Sequence, residues 1–346
     1  MYSFRNDYSE GAHPDILAEL VRTNLEQTVG YGCDEYCERA KDAIRREINN
    51  ENAAVYFISG GTQTNLIAIS SFLRPHEAVI ATSSGHINVH ETGAIEATGH
   101  KVLTAQVENG KLTPELIKPI LDFHCDEHMV KPRLVYISNS SEVGTVYNRG
   151  ELSALSRFCK ENGLMLYMDG ARIGSALCSK QNDLTMEEIA KLTDAFYIGG
   201  TKNGLMMGEA LVLVNDCLKA DFLFFVKQRG ALLAKGRLLG LQFLTLFTDG
   251  LFYKIASHEN RMAELLKAGL TELGVPFLTD SPTNQQFPIF ADDIAEKIKL
   301  SYDYEIQKKL PDGRTCIRLV TSWATPEWAV NEFLRDVGEM LRISGE

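Results

Sequence analysis

A lysine flanked by glycines and a hydroxyl, in Gly199-Gly200-Thr201-Lys202-Asn203-Gly204, follows the short apolar run 195–198. An amine at such a strand end is poorly placed for packing and well placed to reach a carbonyl. Lysines that form Schiff bases are those whose ammonium is desolvated or stands near another cation, and the bland alternative is an exposed loop lysine. Three further strand ends carry reactive groups. Met168-Asp169-Gly170-Ala171-Arg172 closes the run 164–168, and a buried carboxylate there needs a partner. A pyridinium N–H would serve, as would a helix N-cap or an ion pair with Arg172. Ser59-Gly60-Gly61-Thr62-Gln63-Thr64-Asn65 follows the run 54–58 and opens a helix. Its glycines let backbone amides approach an anion at the positive end of that helix, which makes a candidate phosphate cup or a glycine-rich turn without a ligand. It is neither a Walker loop nor a dinucleotide fingerprint. Finally, Ser83-Ser84-Gly85-His86-Ile87-Asn88-Val89-His90-Glu91 follows the run 77–81. His86 could lie flat over a cofactor ring, with His90 and Glu91 as candidate proton acceptors, or all three could be structural.

These groups need a scaffold that brings strand ends together. Short β-rich runs at 54–58, 77–81, 101–104, 133–137, 164–168, 195–198 and 210–214 alternate with helical stretches such as 62–73 and 149–162, the latter stopped by Gly163. That alternation predicts an α/β fold with a mostly parallel sheet covered by helices on both faces, in which ligands bind beyond the carboxyl ends of the strands. From about residue 251 the order changes to a long helix (253–273), strand-like 276–278 and 286–290, a helix at 292–299, a strand at 315–321 and a closing helix at 326–343. We therefore expect a large domain over 1–249, its first thirty residues contributing to the site, and a smaller C-terminal α+β domain over 250–346.

Composition narrows the partners. The 346 residues are 45% hydrophobic and 23% charged, and a formal net charge of -11 offers no basic field for nucleic acid. No run of about eighteen apolar residues and no leader pattern appears, so the expectation is a cytoplasmic protein without membrane contact, acting on a small molecule. Seven cysteines are scattered without paired short spacings, which argues against a disulfide framework or zinc ribbon. His124-Cys125-Asp126-Glu127-His128 puts two histidines on one helical face, as zinc sites do, but no glutamate directly follows His124. It reads as a solvated helix end, and no metal is expected.

Taken together, the phosphate cup, the histidine, the aspartate and the lysine occur in the chain order used by pyridoxal-phosphate (PLP) enzymes of the aspartate-aminotransferase-like fold, fold type I. Arg5-Asn6-Asp7, Gly30-Tyr31-Gly32, Ser59 to Asn65, His86 to Ala94, Asp169 to Arg172, Thr201-Lys202 and Ile317-Arg318-Leu319-Val320-Thr321 resemble the blocks of the threonine aldolase and β-eliminating lyase family. The resemblance runs nearly end to end. It implies Lys202 as the Schiff-base lysine, Asp169 on the pyridine nitrogen and His86 stacked on the ring. Gly61 and Thr62 would hold the phosphate, with Asn65 and Thr201 also at the cofactor. Arg172 and Arg318 would clamp a substrate carboxylate, with Asn6 and Tyr31 at the substrate. It also implies a homodimer or homotetramer with sites at subunit interfaces, Lys235 being the best match for a basic residue that reaches a neighbour's phosphate.

Two positions depart from the pattern. Asn6 replaces a common serine and can still donate to a carboxylate. Ser141 stands where many members carry a second active-site histidine, which leaves the base open among His86, His90 and a water held by Glu91. The implied reaction is retro-aldol cleavage of L-threonine or L-allo-threonine to glycine and an aldehyde. The alternative is β-elimination or another carbon–carbon lyase reaction on a different amino acid, because one electron sink serves any bond to Cα. A non-enzymatic scaffold would not need Lys202, Asp169, His86 and both arginines.

Overall fold

A computed structural model describes residues 1–344; the last two residues of the expected second domain, 345 and 346, lie outside them. Seven strands build the large sheet: β1 (Ala54–Ile58), β2 (Glu77–Thr82), β3 (Val102–Ala105), β4 (Lys131–Ser138), β5 (Met165–Asp169), β6 (Ala195–Gly199) and β7 (Glu209–Leu213). Their spatial order is β1-β7-β6-β5-β4-β2-β3. Every pairing from β3 to β6 is parallel, and β7 runs antiparallel between β1 and β6. The mostly parallel α/β sheet is thus present, with each expected run at its place and bounds moved by one or two residues.

Side-chain alternation explains why these strands are apolar throughout. Leu134 and Tyr136 of β4 enter the core on one face with Tyr167 and Tyr197, while Val135 and Ile137 enter the core on the other with Leu166 and Ile198. A strand buried on both faces has no polar side to display. The covering helices are set by local chemistry. Asn148 and Glu151 form a reciprocal capping box at the start of helix Arg149–Glu161, as Thr185 and Glu188 do for Met186–Leu192. Helices Pro14–Arg22, Glu35–Glu47, Pro114–Phe123 and Arg237–Leu246 were not singled out in the sequence.

The C-terminal part has a sheet of β8 (Gln285–Gln286), β9 (Ile289–Ala291), β10 (Glu305–Lys309) and β11 (Arg314–Val320), all antiparallel to the central β11. Strand β10 left no imprint on the hydrophobic pattern because its residues are only partly buried or exposed at a sheet edge. The expected strand at 276–278 is reduced to a single bridge between Phe277 and Pro288. Tyr2–Ser3 pairs in parallel with Tyr302–Asp303, and Phe4 is fully buried in the C-terminal core. Helix Leu251–Glu272 serves both cores, with Phe252 and Ile255 in the large one and Met262, Leu266 and Leu270 in the small one. The N-terminal segment therefore starts on the C-terminal part, in a two-stranded pairing of its own, and crosses to the large sheet, where Asp7 and Tyr8 arrive at the strand ends.

Candidate active site

Strand register aligns one end of the sheet: Ser138 lies beside Asp169 in a parallel pair, and across the antiparallel strand β7 Glu209 lies opposite both Gly199 of β6 and Ile58 of β1. The loops that leave these ends enclose a cleft of about 310 Å³, lined among others by Gly60, Gly61, Thr62, His86, Glu142, Asp169, Arg172, Thr201, Lys202 and Glu209. Two glycines permit the close approach. A Cβ on Gly170 would lie 1.9 Å from the Tyr197 carbonyl oxygen, and one on Gly199 would lie 2.2 Å from that of Ala171. The Gly199 N–H donates to the Gly170 carbonyl at 2.9 Å, which joins the turns that carry Asp169 and Lys202.

Asp169 is buried but well supplied with donors. Tyr136 donates its hydroxyl to Oδ2 at 2.6 Å, Asn65 Nδ2 donates to the same oxygen at 3.1 Å, and the Ala171 N–H donates to Oδ1 at 3.0 Å. Burial alone would raise this carboxyl. The charge of His86 and the hydrogen bonds from Tyr136, Tyr197 and the Ala171 amide outweigh it and hold the carboxyl below its ordinary value. Asn65 also donates to Glu91 Oε1 at 2.7 Å and accepts from the Tyr167 hydroxyl at 2.9 Å. Glu91 in turn meets His86 Nδ1 at 2.7 Å. A buried polar chain thus runs from Tyr167 through Asn65 to both the aspartate and the histidine.

Lys202 makes no hydrogen bond or ion pair with any described residue, and its ammonium stands 6.0 Å from the centre of the Tyr8 ring. Burial, together with the Arg172 charge, pushes the ammonium below the ordinary lysine value, while Asp7, Asp169 and Glu209 pull it back only in part. Glu209 accepts from the Gly200 N–H at 3.0 Å and the Thr201 hydroxyl at 2.8 Å. Arg172 grips Asp7 side-on, Nε to Oδ2 at 2.6 Å and Nη2 to Oδ1 at 3.0 Å, and Asn284 donates to Asp7 Oδ2 at 2.9 Å. The alternative partner for Asp169, an ion pair with Arg172, is therefore not made. Helix Gly61–Phe72 begins at the cleft with no side-chain cap, so its first amides are free for an anion.

An adjoining cleft holds His90, Glu305 and Arg318 and shares Tyr8, His86, Glu142, Arg172 and Lys202 with the first. Arg318 donates to Glu305 Oε2 at 2.7 Å, and its buried Nε has no partner. Other expected site residues sit elsewhere. Asn65 is fully buried and bonded to Asp169, Glu91 and Tyr167. The Asn6 side chain accepts from the Tyr8 N–H and the Ser9 hydroxyl, shaping the loop that presents Tyr8. Tyr31 is half exposed under Lys227, and Lys235 lines a separate cleft with Thr28 and Val29. His124 turns its Nδ1 back to the Ile120 carbonyl at 2.9 Å. The sequence reading missed Tyr8, Asp7, Glu209, Glu142 and the tyrosines beneath Asp169. The tyrosines had a visible signal: Tyr136-Ile-Ser138, Tyr167-Met-Asp169 and Tyr197-Ile-Gly199 repeat one pattern at three strand ends.

An architecture with this sheet order, a small C-terminal sheet and strand-end polar groups is the aspartate-aminotransferase-like fold. A Thermus thermophilus aspartate aminotransferase double mutant overlays with a TM-score of 0.70 at 16% identity, covering 96% of this chain and 89% of that one. The chain belongs to the beta-eliminating lyase family, in its threonine aldolase group: the family profile matches residues 4–293. A low specificity L-threonine aldolase of Pseudomonas sp. (strain NCIMB 10558) is 34% identical over 338 residues, 96% of each chain. One from Saccharomyces cerevisiae is 27% identical, covering 82% of this chain and 73% of that protein. The structure of Leishmania major threonine aldolase is 51% identical with a TM-score of 0.97, covering 99% of this chain and 100% of that one.

Proposed function

We propose that this chain is a PLP-dependent aldehyde-lyase that cleaves L-threonine or L-allo-threonine to glycine and an aldehyde. The observation that carries the proposal is a desolvated, hydrogen-bond-free amine, Lys202, in one cleft with a carboxylate held ionised against its burial, Asp169. The residues fit the cofactor at three points. Asp169 supplies an acceptor for a ring N–H, Lys202 an amine for a carbonyl, and the uncapped amides at Gly61 and Thr62 a seat for a phosphate. When bound, PLP supplies an electron sink for the bonds at the α-carbon of an amino acid.

The chain does the rest. Its depressed ammonium keeps Lys202 available as a nucleophile, and the low carboxyl of Asp169 keeps a ring proton in place. His86, fixed through Nδ1 by Glu91, offers a flat ring in the cleft wall. The side-on edge of Arg172 belongs to Asp7, so a substrate carboxylate would meet its remaining N–H groups and the unpartnered Nε of Arg318. That orientation sets the Cα–Cβ bond for cleavage. Thr201 acts through its bond to Glu209.

We also propose a homodimer or homotetramer in which Lys235 and Tyr31 serve a partner's site. Neither lines this chain's own cleft: Lys235 lines a separate cleft with exposed Val29, and Tyr31 lines another with exposed Leu223. The domain division at 249/250 fits the left-handed turn at Gly250 that starts helix Leu251–Glu272. No helix among the described residues is long and apolar enough to cross a membrane, and free cysteines fit the reducing cytoplasm. Product analysis with L-threonine tests the reaction. Equal glycine and acetaldehyde support it, whereas ammonia and a keto acid would mean elimination.

A further inference from the structure

The family's second histidine is absent from this chain, and the residue at its place cannot do its work. The hydroxyl of Ser141 is buried and tied to Thr145 Oγ1 at 2.7 Å. The next residue is different. Glu142 lines both the cleft of Asp169 and Lys202 and the adjoining cleft of His90 and Arg318. Both of its hydrogen bonds fall on Oε1, from the Ser138 hydroxyl at 2.7 Å and from the His86 backbone N–H at 3.0 Å. The carboxyl is thereby pinned to the end of β4 and to the histidine turn, and Oε2 is the oxygen left for a ligand.

Five residues reach both clefts: Tyr8, His86, Glu142, Arg172 and Lys202. A substrate whose α-carbon is served by Lys202 and whose carboxylate lies toward the arginines has its β-hydroxyl at this junction. Of the five, Arg172 is held by Asp7, Lys202 serves the cofactor, and His86, fixed through Nδ1 by Glu91, is the ring that would lie against the cofactor. His90 faces only the outer cleft. Tyr8 is half exposed on the N-terminal segment, which leaves Glu142 as the one rigidly held carboxyl.

We propose that Glu142 is a catalytic residue whose Oε2 accepts the β-hydroxyl proton as the Cα–Cβ bond breaks. The inference rests on the cleavage reaction proposed above. As the O–H bond breaks, its electron pair becomes the second C–O bond of the aldehyde. The Cα–Cβ pair passes to Cα, and one proton taken up there completes glycine. The protonated Glu142 then returns its proton to solvent, and solvent supplies the proton taken up at Cα, so atoms and charge balance. Its environment suits a proton acceptor. Burial pushes the carboxyl above the ordinary glutamate value, with the Asp169 charge acting in the same direction and the Ser138 and His86 donors opposing. A base moved toward neutrality transfers protons more effectively than an ordinary surface glutamate.

The test is Glu142→Gln in the holoenzyme, because glutamine keeps the acceptor at Oε1 and cannot take a proton on the other atom. Two readouts are needed: threonine cleavage, and glycine binding followed by the cofactor's visible spectrum together with solvent exchange of glycine's α-proton. Glycine has no β-hydroxyl. Cleavage should fall about 10²–10⁴-fold, the usual worth of general base catalysis, while glycine binding and exchange stay within about threefold of wild type. Cleavage within about fivefold of wild type would overturn the proposal. So would an equal loss of both readouts, which would mark a structural role, or a large loss in Tyr8→Phe with none in Glu142→Gln. A wild-type enzyme that binds glycine but cleaves no β-hydroxy amino acid would instead refute the proposed function itself.

Discussion

Replacing Asp7 by asparagine removes one charge from a buried pair while keeping its shape. Arg172 gives Asp7 two hydrogen bonds, at 2.6 and 3.0 Å, and Asn284 gives a third at 2.9 Å. An amide retains one acceptor oxygen and turns the other position into a donor that faces a guanidinium. Breaking a buried pair by removing one partner costs about 3–5 kcal/mol. The surviving acceptor places this substitution near the lower end, so we expect a loss of about 3 kcal/mol and a melting temperature lower by about 4 °C. The effect should depend on pH. Burial works to raise the Asp7 carboxyl, but the charges of Arg172 and Lys202 and the donors Arg172 and Asn284 hold it below the ordinary value. A carboxyl depressed in the folded state contributes stability that is fully present above the unfolded value, about pH 3.9, and is lost as pH falls through the folded one. The gap between wild type and Asp7→Asn should therefore be largest at pH 7 and shrink in the acid range below about pH 4. Urea unfolding at pH 7 and at pH 3.5 measures both quantities. A gap under about 1 kcal/mol at pH 7, the size of an exposed pair, or a gap that widens in acid, would refute this reasoning.

Gly199→Ala should destabilise the protein by about 3 kcal/mol and cost activity, because its Cβ would sit 2.2 Å from the Ala171 carbonyl oxygen, backbone that cannot step aside; denaturant unfolding beside a turnover assay checks it, and a neutral variant would contradict the close approach. Asn65→Ala should leave the Tyr167 hydroxyl, Glu91 and Asp169 each one partner short. At about 1–3 kcal/mol for each unsatisfied buried group, the expected loss is at least about 2 kcal/mol, measured by thermal unfolding. A variant of wild-type stability would mean that Asn65 faces a ligand after all.

The sheet and the reactive centre were legible because each strand ends its apolar run where its polar payload begins. Lys202, Asp169, His86 and the Gly60-Gly61 turn come from four separate strand ends, and all four line or border one cleft. What stayed hidden depends on contacts distant in sequence. Asp7 and Arg172 are 165 residues apart, so nothing local marks them as partners, and the sequence offered Arg172 only a substrate carboxylate or its neighbour Asp169. Asn65 looked like part of the phosphate turn because it is near Gly61 in sequence; one helical turn inward, it faces the interior. Strand β10 escaped notice because an edge strand need not alternate. Glu142 was overlooked beside the more conspicuous loss of a histidine at Ser141.

The central claim is that one amine, Lys202, carries the cofactor of this enzyme. Borohydride reduction of the PLP-loaded protein, followed by peptide mass analysis, tests it most directly. The account predicts a reduced pyridoxyl addition on the peptide containing Lys202 and no absorbing, reducible adduct in Lys202→Ala. An addition on another lysine, or a Lys202→Ala protein that still forms the reducible adduct and turns over fully, would contradict it.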